Sequence, residues 1–176
     1  MIENTIRSET IFKGRVLTLR VDTVEGPNGI TTREIVDHAP AVTIIPFKDP
    51  HHVYLVHQYR KAVAQPLIEA PAGCMESDEV SRTAAIRELK EETGFSAQKL
   101  TKVGEMFMAP GFCNEYMHFY IAEGLIKGEP SFDSDEVMAL HRYPLDQVRE
   151  MIRNKKIIDA KTIMGVYFLH EYLQQR

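Results

Sequence analysis

Apolar residues alternate with polar ones through the first third of the chain. From Thr10 to Glu25 the apolar positions are Phe12, Val16, Leu17, Leu19, Val21 and Val24, a spacing that predicts β structure. Gly26-Pro27-Asn28-Gly29 reads as a turn, and Thr31 to His38 as the returning strand. Ala41 to Phe47 is an uninterrupted apolar, β-rich run ending near Lys48-Asp49-Pro50, and Val53 to Tyr59 alternates enough to pair with it. The pattern then changes period. The stretch leading to Gly94 lacks proline and reads as a helix, with Asp78 as its N-cap and Gly94 as its stop.

Val103 to Met108 and Tyr116 to Glu123 predict two more strands, and Glu136 to Tyr143 a weaker one. Pro144 opens a helix running to about Lys155, and Asp159 caps a last helix running to Tyr172. No internal repeat, low-complexity tract or long linker interrupts this order. The elements predict one mixed α/β unit.

Composition narrows the partners. With 176 residues, 44% of them hydrophobic and 26% charged, the chain suits a soluble globular domain with a real core. A net charge of −4 gives no general affinity for nucleic acid or anionic membranes. An anionic substrate must then be held by local cations or metals. No apolar stretch is long enough to span a bilayer, and Met1-Ile2-Glu3-Asn4 lacks the basic start of a signal peptide. Cys74 and Cys113 form no metal or redox spacing and read as reduced, which suggests the cytoplasm.

Chemistry concentrates in Arg87-Glu88-Leu89-Lys90-Glu91-Glu92-Thr93-Gly94. At about 100° per residue, Glu88, Glu91 and Glu92 share roughly a third of the helix circumference, with Ala85, Ile86 and Leu89 on an adjoining apolar sector. Two such charges about 6 Å apart repel by about 3 kcal/mol at an effective dielectric near 20. Arg87 and Lys90 are expected to project elsewhere and to neutralise this face poorly. A divalent cation would compensate it, and hard oxygen donors favour Mg²⁺ or Mn²⁺.

Residues Gly73, Glu79, Arg87, Glu88, Leu89, Glu91, Glu92, Gly94 and Phe95 fall in the spacing Gly-x5-Glu-x7-Arg-Glu-U-x-Glu-Glu-x-Gly-U, where U is bulky and apolar. This resembles the Nudix hydrolase signature without departure. A solvated acidic helix accounts for Glu-x-x-Glu-Glu alone, but not for nine positions in register. The resemblance implies an α/β/α sandwich around a mixed sheet over residues 40–176. Residues 1–39 would then form an added antiparallel sheet that takes part in homodimerisation. It also implies that Glu88, Glu92, Glu91 and the Ala72 carbonyl hold about two or three Mg²⁺ ions with substrate. Glu79 and Arg87 would fix the loop against the helix; the alternative is a plain surface pair. The resemblance places the general base in the segment Gly128 to Glu136, with Glu136 first, Asp135 and Asp133 in reserve, and Glu91 as a further candidate.

Other residues resemble the ADP-ribose pyrophosphatase group within that family. They are Gln58-Tyr59-Arg60, Glu69-Ala70-Pro71-Ala72-Gly73, and Pro110, fifteen residues after Phe95. Arg60 suits a diphosphate or terminal ribose, because its planar fork grips oxyanions in two places. Glu69 suits ribose hydroxyls, and Gly73 lies beside the same substrate. Phe112, Tyr116 and Tyr143 suit either base stacking or core and rim positions. Arg33 and His38 are placed to meet a nucleotide across a dimer, with a hydrogen-bonded structural histidine as the alternative for His38. The group's Arg-Arg-Pro after the aromatic is replaced by Arg60-Lys61-Ala62-Val63. The resemblance therefore implies conversion of ADP-ribose and water to AMP and ribose 5-phosphate, with GDP-mannose or ADP-glucose hydrolysis as the alternative. A non-catalytic ADP-ribose-sensing module is the remote one.

Overall fold

The tract from Thr10 to Glu25 is two strands, broken at Gly14-Arg15-Val16. In the computed structural model, which describes residues 2–128 and 138–176, β1 (Asn4–Lys13) turns there into β2 (Leu17–Gly26). The Gly14 N–H donates to the Leu17 carbonyl at 2.9 Å to close the turn. β2 pairs in turn with β3 (Gly29–His38), with Pro27-Asn28 as a two-residue turn closed by the pair Gly26 and Gly29. All pairings in this sheet are antiparallel, in the order β1-β2-β3. These strands belong to one compact unit, Met1–Pro40 with Met106–Met117. The later segment is stitched to β3: the Val36 N–H donates to the Phe112 carbonyl at 2.7 Å, and the Asn114 amide oxygen accepts from the His38 N–H at 2.8 Å.

The second unit comprises Ala41–Glu105 and His118–Arg176. Its mixed sheet runs β10 (Met138–Pro144), β5 (His52–Arg60), β4 (Ala41–Asp49), β9 (Tyr116–Lys127), β8 (Phe95–Phe107). Two short strands join it, β6 (Gln65–Glu69) on β5 and β7 (Ala72–Cys74) on β4. The unbroken apolar run of β4 follows from its central place, since both of its faces are covered. Ile45 and Phe47 pack with Val148 and Met151 of α2 (Leu145–Arg153) and Val166 and Leu169 of α3 (Ala160–Gln174). Val42 and Ile44 pack on the other side with Ala84, Ala85 and Leu89 of α1 (Ser81–Thr93). The result is a helix–sheet–helix sandwich. Among the described residues no helix is long and apolar enough to cross a membrane.

Three of the four expected helix punctuation marks hold, Pro144 standing at the cap position directly before α2. Gly94 ends α1 in the left-handed region at φ 72°, its N–H bonded to the Lys90 carbonyl at 2.8 Å. Asp159 caps α3 by accepting from the Thr162 N–H at 3.0 Å. Asp78 does not cap α1. It sits at φ 62° in a turn closed by the Glu79 N–H on the Glu76 carbonyl at 3.2 Å, and the helix begins three residues later with Val80 at the cap.

Gly165 lets α3 lie close on β4. A Cβ built there falls 2.5 Å from Ile45 Cδ1 and 2.9 Å from Ile45 Cγ1. Ile45 is fully buried, so it has nowhere to retreat. Overpacking costs about 1–3 kcal/mol, against about 1 kcal/mol gained from alanine's helix propensity. Gly165→Ala should lower Tm by a few degrees in a thermal scan.

Candidate active site

β7 brings the signature together. It pairs with the start of β4, with Ala72 opposite Thr43 and Gly73 opposite Val42. The segment before it is fastened twice: the Ile44 N–H donates to the Pro71 carbonyl at 2.9 Å, and the Ala70 N–H to Thr162 Oγ1 at 2.7 Å. α1 then packs against β7. The Ala72 N–H donates to Glu92 Oε2 at 3.2 Å, and the Glu88 carboxylate fills the space over Gly73 where any other residue would carry a Cβ. Glu88 and Glu92 are 8% and 4% exposed, so these two acids are covered rather than solvated.

Arg87 does not leave this face. Its guanidinium swings across to donate to Glu88 Oε1 at 2.6 Å and to Glu91 Oε2 at 3.1 Å. It also donates to Glu79 Oε2 at 2.9 Å and to the Cys74 carbonyl at 3.0 Å. The Glu79 hydrogen bond is the main reason its proton is held even more firmly than in a free arginine. Burial opposes that effect, and Glu88 and Glu91 add to it. The same bond holds the Glu79 carboxyl below the usual glutamate range. Three carboxylates and one backbone carbonyl thus surround one guanidinium.

These donors fit a hard divalent cation. Among the described residues no group of three or more His, Cys, Asp or Glu side chains is by itself arranged to hold a metal ion. The set of buried Glu88 and Glu92, a backbone segment at Ala72 and partly exposed Glu91 instead suits an ion that keeps waters and takes substrate oxygens, as Mg²⁺ does.

Arg60 and Glu69, read separately from the sequence, meet each other. Arg60 Nε and Nη2 donate to the two Glu69 oxygens at 2.8 and 2.7 Å, a bidentate fork. Glu69 has no solvent exposure, and Lys161 of α3 also reaches its Oε2. Burial raises the Glu69 pKa, but the Arg60 hydrogen bonds and the Lys161 charge outweigh it and leave the carboxyl below its ordinary value. A ribose hydroxyl would reach Glu69 only by displacing one of these cations. Arg60 feels the Glu92 charge through space, which ties this pair to the acid face.

Arg33 and Phe112 lie in the other unit, where both line a cleft of about 410 Å³ with Arg20, Pro110 and Asn114. Arg33 is paired with Glu3 there, Nε donating to Oε2 at 3.1 Å. Phe112 is exposed. The His38 ring lies 2.7 Å from its neighbour's carbonyl at Ala39. Tyr143 bonds His57 Nε2 through its hydroxyl at 2.6 Å, and Tyr116 packs edge-on against Phe107. Glu136, Asp135 and Asp133 lie outside the described residues.

Lys161 escaped the sequence reading. Asp159 was legible as a cap, but the inward course of the second residue after it depends on a partner 92 positions away.

Comparison with known proteins gives two family matches that tile the chain. The NUDIX domain model matches residues 37–164, and the nucleoside diphosphate sugar hydrolase N-terminal domain model matches residues 3–36. The chain is 42% identical to the methanol dehydrogenase activator of Bacillus methanolicus and 37% identical to an ADP-ribose pyrophosphatase of Bacillus subtilis (strain 168). Each alignment covers 95% of this chain and 92% of the relative. The crystal structure of an ADP compounds hydrolase superposes with a TM-score of 0.86 at 26% identity, covering 99% of this chain and 96% of that one.

Proposed function

The chain belongs to the NUDIX family of hydrolases, and we propose that it cleaves the diphosphate bond of nucleoside diphosphate sugars, converting ADP-ribose and water to AMP and ribose 5-phosphate. One observation carries this reading: the two matched models follow each other along the chain, a nucleoside diphosphate sugar hydrolase N-terminal domain and then a NUDIX domain. The ADP-ribose assignment draws on the Bacillus subtilis relative and on Arg60, Pro110 and the Glu69–Gly73 segment.

Glu88, Glu92, Glu91 and the Ala72 carbonyl would hold Mg²⁺, or Mn²⁺ in its place. Such ions, when bound, neutralise diphosphate oxygens and make water more acidic. The protein side of the reaction falls to named residues. Arg87 holds Glu88 and Glu91 through one nitrogen and clamps Glu79 and the Cys74 carbonyl through another, so the loop at Gly73 stays against α1. Arg60 grips the diphosphate as a planar fork. A water oxygen bonds to one phosphorus, the bridging phosphorus–oxygen bond breaks, and Glu136 accepts the water proton. Residues 1–39 act as the dimerisation element and 40–176 as the hydrolase domain, in the cytoplasm. Arg33 and His38 then meet the nucleotide of the neighbouring subunit, and Phe112 is available to stack on a base.

Turnover of a nucleotide-sugar panel in oxygen-18 water, with product masses read out, tests this directly. ADP-ribose should be the best substrate, and the labelled product identifies the attacked phosphorus. Preference for GDP-mannose or ADP-glucose would select the alternative that Lys61-Ala62-Val63 keeps open. A panel with no turnover in Mg²⁺ or Mn²⁺ would leave only the sensing module. The kinship to a methanol dehydrogenase activator favours a second reading, in which the same hydrolysis regulates a partner enzyme.

Glu136→Gln should lower kcat about 10²- to 10⁴-fold, as loss of a general base does, while KM moves little. An unchanged rate in steady-state assays would pass the role to Asp135, Asp133 or Glu91.

A further inference from the structure

Two cations hold Glu69, and they are not equivalent. Arg60 approaches from the end of β5 with a side chain 41% exposed, whereas Lys161 approaches from the first turn of α3 with a side chain 13% exposed. Lys161 is also fixed from its own helix. Its Nζ lies 3.0 Å from Asp159 Oδ1, while Asp159 Oδ2 accepts from the Thr162 N–H and, at 2.5 Å, from the Thr162 hydroxyl. Thr162 in turn holds the Ala70 N–H, next to Glu69. Two acids and two bases therefore balance in this pocket, with one base enclosed and the other at the rim.

That asymmetry has a consequence for binding. A buried carboxylate stripped of its only counter-ion carries a large penalty, because the remaining charge is neither solvated nor paired. Were Arg60 the sole partner of Glu69, a diphosphate could recruit the guanidinium only against that penalty. With Lys161 in place, Glu69 stays paired after Arg60 departs. We propose that Lys161 is a positioning residue, the standing counter-ion of Glu69 that frees Arg60 to engage the substrate diphosphate. This rests on the reading of Arg60 as a diphosphate ligand.

Steady-state kinetics on ADP-ribose with Mg²⁺ decide it, using K161M, K161R, R60Q, E69Q and E69Q/K161M. K161M should raise KM about ten-fold or more with kcat within about three-fold, because Arg60 becomes locked to Glu69. K161R should restore KM. In the E69Q background the carboxylate that needs a counter-ion is gone, so E69Q/K161M and E69Q should agree in KM within about three-fold. That comparison stands even where K161M alone does not fold. An unchanged KM in K161M, a loss that K161R does not rescue, or a further ten-fold rise from E69Q to E69Q/K161M would overturn the inference. An unchanged KM in R60Q would instead remove Arg60 from the substrate, a separate failure of the underlying reading.

Discussion

Enzyme carrying Glu92→Gln is expected to turn over about 10³-fold more slowly than wild type at saturating magnesium, with its fold intact. Glutamine has the same length, and its carbonyl oxygen can still accept the Ala72 N–H that Glu92 Oε2 accepts at 3.2 Å. The packing of α1 on β7 is therefore kept. What disappears is one negative charge in a site that is 4% exposed, where water replaces little of it. A factor of 10³ corresponds to about 4 kcal/mol, within the several kcal/mol that charge stabilisation by a bound ion supplies. Stability moves the other way or not at all, since one member of an acid cluster has been neutralised. Two measurements separate these effects. Thermal scans without metal should give equal or slightly higher Tm, and the rise in Tm expected on adding magnesium to wild type should shrink in the variant. A kcat near wild type would remove Glu92 from the metal site.

The sequence was most legible where a local rule acts alone. Gly94 must stop α1 because the chain needs a left-handed residue there, and Asp159 must cap α3 because its side chain meets an N–H three residues on. The apolar run of β4 told of burial on both faces before any partner was known. Asp78 failed because a tertiary demand outranked the local one. The turn at Glu76–Glu79 presents Glu79 to Arg87, and α1 starts only after it.

A helical wheel located Glu88, Glu91 and Glu92 on one face but could not say what covers that face. β7 covers Glu88 and Glu92, and only the chain's return past β4 puts β7 there. The wheel also misjudged Arg87, whose long side chain crosses the helix surface to the acids it was expected to avoid. Lys161 and Glu69 lie further beyond such a reading, as do Val36 and Cys113 in the other unit, because each pair joins distant parts of the chain. Residue types named the chemistry, and non-local packing decided which of them meet.

Gly73→Ala should be nearly as damaging as the loss of a ligand charge, for a steric reason. A Cβ at residue 73 would fall 2.0 Å from Glu88 Oε1, 2.1 Å from its Cδ and 2.4 Å from its Oε2. Something must move by about an ångström or more. β7 is poorly placed to do so, since Ala72, Gly73 and Cys74 all pair with β4 and the Cys74 carbonyl accepts from Arg87 at 3.0 Å. The end of the Glu88 side chain is the softer element, so it swings off the site and takes the 2.6 Å contact with Arg87 with it. Misplacing a group that positions the reacting atoms by about 1 Å costs about 10²-fold in rate. Gly73 is not among the positive-φ glycines, so alanine meets no backbone strain there. Its entropic gain in the unfolded chain, about 0.4–1 kcal/mol, offsets part of the clash. The expected signature is a kcat about 10²-fold down with Tm within a few degrees of wild type. A folded Gly73→Ala enzyme with unchanged kcat would mean that Glu88 does its work from somewhere other than the space above residue 73.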